Sequence, residues 1–185
     1  MLKNNEVIIF PTDTVYGMGC NAFDKEAQKR IYEIKKRPEN KRLSILCKDL
    51  AQIETIAILT EDAKKLIEAY MPGGLTLILN AKPEVVGEGI FSTVGVRIPK
   101  HPLALKLLEE NGPMATTSVN LSGTEPLNDY DKIMKEFGSL VDMIYPNDEK
   151  TSNISSTVID LTVNPYTLIR EGELSFQTIL NFLHK

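Results

Sequence analysis

Short apolar, β-branched runs punctuate this chain, and segments of helical periodicity fall between them without a regular rhythm. Val7–Phe10 (VIIF) stops at Pro11. Leu43–Cys47, LTLIL at 75–79, Val94–Ile98, Met114–Ser118, Val141–Tyr145, Thr157–Leu161 and Tyr166–Arg170 are of the same kind, and each reads as a strand. Asn164-Pro165 supplies a turn between the last two, which therefore read as a hairpin. Ala27, Ile31 and Ile34 recur at helical spacing after Asp24, a candidate N-cap, and the helix ends before Pro38. Further helices are expected over Leu50–Ile56, from a Thr60 cap to Tyr70, from His101-Pro102 to Glu110, from Asp129 or Tyr130 to Phe137, and after a Ser175 cap. PTDTVYGMG at 11–19, MPGG and NLSG read as loops. Strand and helix do not alternate strictly. The expected fold is therefore α/β: a single domain over residues 1–185 with one twisted, open, mixed sheet and helices packed on it.

At 185 residues the chain is long enough for one domain with a sizeable core. Its net charge of −4 argues against a general nucleic-acid coat, which leans on a cationic surface, but leaves room for a local basic cleft. Cys20 and Cys47 lack metal-ligand spacing and read as buried or half-buried thiols, with a disulfide between them as the alternative. Two histidines leave little scope for His-based metal chemistry. VIIF is too brief for a signal-peptide core, and no apolar run approaches bilayer-spanning length, so a cytoplasmic protein without membrane contact is expected.

Four segments are richer in chemistry than packing requires. Thr12, Asp13, Thr14 and Tyr16 crowd a loop at the end of a buried strand, where ligand groups are commonly displayed; a turn bonding its own backbone is the plainer alternative. Lys35, Lys36, Arg37, Lys41 and Arg42 put five cations within eight positions, more than a helix C-terminus needs. Pro38 disfavours helical geometry at Arg37, so the chain can turn and bring Lys35 and Arg37 to one ligand. Phosphate is the natural partner, forked by Arg and met by Lys as a point charge. Thr116–Gly123 (TTSVNLSG) runs from a strand into a polar loop whose hydroxyls, amide and backbone N–H groups suit a phosphate or nucleotide; it lacks P-loop spacing. Ser155–Asp160 and Leu168–Gly172 place polar groups at the edges of apolar strands.

In their order along the chain these segments resemble the YrdC-like threonylcarbamoyl-AMP synthase family. The resemblance rests on PTDTVYGMGCNAF, IYEIKKRPENKRL, MPGGLTLIL, TVGVRIPKHP, TTSVNLSG, SSTVID and IREG, from residue 11 to residue 172, with Lys-x-Arg-Pro and Ser-x-Asn as its most specific elements. It implies a concave, positively charged cleft and the reaction of L-threonine, bicarbonate and ATP to threonylcarbamoyl-AMP and pyrophosphate. The product would feed threonylcarbamoyl modification of tRNA through downstream transfer proteins, with direct tRNA contact open. Some relatives carry an extra C-terminal domain; this chain looks like the short form. It departs from the family at Lys36, where Gly is frequent, at Arg42 before Leu43, where Pro is frequent, and at Leu46, where some relatives have His.

The resemblance implies roles for particular residues. Lys35 and Arg37 would be catalytic and bind the triphosphate, with Lys41 adjacent. Ser118, Val119 and Asn120 would hold phosphate or ribose, Arg170 would contact the nucleotide from the far rim, and Thr93 would lie near ATP. Thr14, Arg97, Thr117 and Ser156 would form the threonine site, Arg97 meeting the carboxylate. Mg²⁺ is expected on the ATP phosphates, with no protein ligand assigned. Two other readings stand beside this one: an RNA-binding module using the basic cleft, disfavoured by the acidic pI and few aromatics near the Lys/Arg cluster, and a carbamoyl-phosphate enzyme, which would need fused domains.

Overall fold

The computed structural model describes residues 1–83 and 92–184. In its N-terminal half the elements are β1 (Ile8–Phe10), β2 (Gly17–Asn21), α1 (Lys25–Lys35), β3 (Ser44–Leu46), α2 (Leu50–Ile56), β4 (Ala57–Ile58), α3 (Glu61–Tyr70) and β5 (Leu75–Ala81). Then come β6 (Thr93–Arg97), α4 (Pro102–Asn111), β7 (Met114–Ser118), α5 (Tyr130–Phe137), β8 (Met143–Ile144), β9 (Thr157–Asp160), β10 (Thr167–Arg170) and α6 (Phe176–Leu183). Helix starts follow the sequence signals. Asp24, Thr60, Asp129 and Ser175 each accept a hydrogen bond from the backbone N–H three residues on, satisfying an otherwise orphaned donor.

All the strands join one mixed sheet in the order β10-β9-β5-β6-β3-β7-β2-β1-β8, with β4 paired to β5 off that path. The β9–β10 hairpin is antiparallel, as its turn signal predicts. β5 with β9, β3 with β6, and β1 with β8 run parallel; the other pairs are antiparallel.

Three expectations change. PTDTVYGMG is a loop only to Tyr16: Gly17–Asn21 is a strand between β1 and β7. Its glycines hid it, because glycine is depleted in strands. A Cβ on Gly17 would lie 2.8 Å from Thr116 Cγ2, and one on Gly19 2.8 Å from Thr116 Oγ1, so close approach to β7 selects glycine here. The strand expected over Val141–Tyr145 shortens to Met143–Ile144. The break after α1 falls one residue earlier than Pro38 suggests: Lys36 turns left-handed (φ 48°) and Arg37 N–H returns to Tyr32 O at 2.9 Å.

The two faces of the sheet are covered unequally. Helices α1, α2, α3, α5 and α6 pack Ile31, Ile53, Leu66, Phe137 and Ile179 against Ile45, Leu75, Leu77, Leu79, Val94, Val96 and Ile159. On the other face, among the described residues, only α4 contributes to a core, setting Ala104, Leu107 and Leu108 on Ile8, Phe10, Leu46 and Met114. Among the described residues no helix covers the remainder of that face.

Candidate active site

The open face is the floor of a cavity of about 520 Å³. Strand pleating decides what it sees, since alternate residues point to opposite faces. From β6 come Thr93, Gly95 and Arg97, while Val94 and Val96 point into the core; from β5 come Thr76 and Ile78; from β9, Val158 and Asp160. Loops supply the walls: Thr12–Tyr16 after β1, Arg37–Leu43 after α1, and Ser155 and Ser156 before β9, with Arg170 at the end of β10.

Among the described residues five cations, Arg37, Lys41, Arg42, Arg97 and Arg170, border this space against one carboxylate, Asp160, in a protein whose net charge is −4. Desolvation by burial presses Arg37, Arg42, Arg97 and Arg170 below the ordinary guanidinium range, and Arg97 adds to the effect at Arg170. Tyr32 opposes it at Arg37, Tyr32 and Asp160 oppose it at Arg42, and Asp13 opposes it at Arg97. Partly desolvated cations massed around a cleft favour an anionic ligand, which restores what their lost hydration supplied.

The structure gathers nine of the twelve residues singled out from sequence at this cavity: Thr14, Arg37, Lys41, Thr93, Arg97, Thr117, Ser118, Ser156 and Arg170. Arg37 is half-buried and braced by its own loop, donating from Nε to Lys41 O (2.8 Å) and from Nη2 to Arg42 O (2.7 Å). Arg97 is buried and donates to Gly73 O (2.9 Å), Thr14 Oγ1 (2.8 Å) and Asp13 Oδ1 (2.7 Å). Its charge is thus already paired with Asp13, whose same oxygen accepts from Lys100 N–H at 2.9 Å. Arg170 forks onto Ser156 O (3.0 and 2.8 Å), and the Ser156 hydroxyl bonds Thr76 Oγ1 at 2.8 Å. Arg42 donates to Thr93 O and, at 2.5 Å, to Thr93 Oγ1. Among the described residues the Thr117 hydroxyl has no hydrogen-bond partner.

Lys35, Val119 and Asn120 lie behind the wall rather than on it. Lys35 is buried and donates to Ser118 O (2.5 Å), Asn120 O (2.6 Å) and Asn120 Oδ1 (2.7 Å). Asn120 Oδ1 also accepts from Ser118 Oγ at 2.8 Å, and Val119 is fully buried, its N–H on Tyr16 O. Lys-x-Arg and Ser-x-Asn meet in space, with Lys35 under the Ser118–Asn120 loop rather than in the cleft where direct phosphate binding is expected of it.

Sequence reasoning marked the segments that hold Asp13, Arg42 and Asp160 without giving those three residues roles of their own, and it passed over Ser44, Thr76 and Gly95. The signal that could have found Thr76 and Gly95 was present: both break an apolar strand at every second position, facing away from the core. Asp13 as the partner of Arg97 had no such signal, because 84 positions separate them. Among the described residues no group of three His, Cys, Asp or Glu could hold a metal ion, and no described helix is long and apolar enough to cross a membrane.

A family model for the Sua5/YciO/YrdC domain, described as telomere recombination, matches residues 1–172. The threonylcarbamoyl-AMP synthase of Pyrococcus abyssi is 39% identical over 183 residues, covering 96% of this chain and 54% of that protein. The threonylcarbamoyl-AMP synthase of Bacillus subtilis is 36% identical over 184 residues, covering 97% and 53%. The solved structure of P. abyssi Sua5 complexed with L-threonine superposes with a TM-score of 0.89 at 38% identity, across 96% of this chain and 54% of that one. The chain belongs to the Sua5/YciO/YrdC family. It spans about half the length of these two curated relatives.

Proposed function

We propose that this chain activates L-threonine as threonylcarbamoyl-AMP, using bicarbonate and ATP and releasing pyrophosphate. The observation that carries the reading is the cleft itself: cations and hydroxyls interleave around it, Arg42 with Thr93, Arg97 with Thr14 and Arg170 with Ser156, on a scaffold shared with relatives that bear this activity's name. A Sua5 structure that holds L-threonine supports the choice of amino acid.

The chemistry needs alignment of anions more than covalent help. Threonine's amine and bicarbonate give an N-carboxylate with loss of water. A carbamate oxygen then bonds the α-phosphorus of ATP as the bond to the bridging oxygen breaks and pyrophosphate leaves. Bringing a carbamate to a triphosphate costs electrostatic work that preorganised cations offset. Arg37, with Lys41 beside it, takes the triphosphate in this reading; Ser118 and Thr93 flank it, and Arg170 closes the far rim. Thr14, Thr117 and Ser156 read the amino acid. Arg97, tied to Asp13 and Thr14, orients that pocket and offers its remaining N–H groups to the carboxylate. Mg²⁺ arrives on the phosphates, held by them and by water; Asp160, the one carboxylate among the described residues of the wall, accepts from Thr162 at 2.8 and 2.6 Å. The product is a reactive mixed anhydride, handed on in the cytoplasm to proteins that modify tRNA, with or without direct tRNA contact.

The test is incubation of the pure protein with ATP, Mg²⁺, threonine and bicarbonate. Pyrophosphate and an adenylate of the expected mass should appear only when both threonine and bicarbonate are present. Pyrophosphate release indifferent to either one overturns the proposal.

A further inference from the structure

Lys35 is 1% exposed, and no described carboxylate lies within ion-pair distance of it. A buried cation usually has a counter-anion; this one has three neutral oxygens, all from Ser118 and Asn120. An ammonium has three donors, so none remains for a ligand. The backbone is tied as well: Lys35 O accepts from Ser122 N–H at 2.9 Å. The loop is closed on itself by Ser118 Oγ to Asn120 Oδ1 (2.8 Å) and Asn120 Nδ2 to Thr124 O (2.5 Å). Ser118 is the point where this assembly reaches the cavity.

We propose that Lys35 is a positioning residue, pinning the Ser118–Thr124 loop from behind so that Ser118 and the loop's polar groups are held toward the nucleotide phosphates, with the bound polyanion acting as the missing counter-charge. The inference rests on the ATP reading above. It departs from direct phosphate ligation by Lys35, because the donors are already engaged.

The arrangement carries a pH signature. Burial, and then repulsion from Arg37, bring the Lys35 ammonium down to about 7. Arg37 is the charged group acting on it among the described residues, and the Ser118–Thr124 loop has no titratable side chain. A phosphate beyond Ser118 favours the charged form, so the bound value lies higher than the free one and binding takes up a proton. Affinity is then level below about pH 7 and falls above it, by at most about tenfold per pH unit.

The experiment uses ATP with a methylene bridge between its α- and β-phosphates, which cannot release pyrophosphate. Its binding is titrated calorimetrically from pH 6 to 9 in two buffers of different ionisation heat. Amide hydrogen exchange of residues 118–124 is followed in the free protein. Wild type should show weakening and proton uptake above pH 7. Lys35→Arg, charged throughout, should keep binding and lose that pH dependence. Lys35→Met should bind about ten- to a hundredfold more weakly and lose protection in 118–124. Loop protection unchanged in Lys35→Met overturns the proposal whatever the nucleotide does, as does wild-type binding without proton uptake. An analogue that fails to bind wild type at all sinks the ATP reading instead, and the exchange data still decide the clamp. Should Lys35→Met not fold, wild-type loop protection must fall as pH rises through 7; a constant value overturns the clamp.

Discussion

On the helix-covered face, β5 and β6 present Leu75, Leu77, Leu79, Val94 and Val96; on the open face the same two strands present Thr76, Ile78, Thr93, Gly95 and Arg97. The backbone is common to both, so the difference lies wholly in the side chains. One face is filled to exclude water, and the other keeps small and polar groups around a space about 520 Å³ in volume. Arg97 shows what the open face demands in return. A guanidinium under the cleft floor is tolerable only because Asp13, Thr14 and Gly73 surround it with acceptors. The comparison teaches that stability and ligand chemistry are separable here by residue parity along single strands.

The sharpest test of the open face is amino-acid choice. A pocket whose Thr14, Thr117 and Ser156 hydroxyls read the substrate hydroxyl should reject valine by about 10⁴–10⁵ relative to threonine, while serine, lacking one methyl, should lose only about 1–3 kcal/mol. Initial rates of pyrophosphate release with the three amino acids measure this. Valine turning over as well as serine would mean that Thr14, Thr117 and Ser156 do not face the substrate hydroxyl.

Parity itself can be broken by a pair of substitutions. Leu77→Ala should lower unfolding free energy by about 2–5 kcal/mol, through lost burial and the cavity left behind, with adenylate chemistry retained below the melting transition. Arg37→Ala should do the reverse, cutting turnover by about 10²–10³ with little change in denaturant midpoint. If Arg37→Ala destabilises the fold as much as Leu77→Ala does, the two faces are not separable in this way.

A smaller effect sharpens the boundary between β2 and β7. Gly17→Ala should destabilise by about 1–3 kcal/mol through overpacking against Thr116. Thr116→Ser, which removes the clashing methyl, should restore part of the loss in the double variant. Denaturation of the four proteins of this cycle measures the coupling, and strict additivity would show that the contact does not set the cost.

How far the site was legible follows the range of the signals. Lys-x-Arg-Pro, Ser-x-Asn and the Pro11–Tyr16 loop are local, and the structure brings all three to one cleft. The N-caps Asp24, Thr60, Asp129 and Ser175 are local too, since a side chain and a backbone N–H three residues away form the whole motif. Strand β2 was missed because its glycines answer to Thr116, a residue about a hundred positions away in sequence.

By itself the sequence determined the α/β class, the mixed character of the sheet, the helix starts and the cluster of chemistry-bearing loops, because periodicity, capping and turn preference act over a few residues. The tertiary structure decided that Arg97 is paired with Asp13, that Lys35 lies under a loop rather than in the cleft, and that, among the described residues, five helices share one face while α4 alone covers part of the other. Those outcomes depend on which strands become neighbours. Strand order is set by the free energy of burying the whole apolar face at once, a sum over contacts that no local stretch of the chain contains.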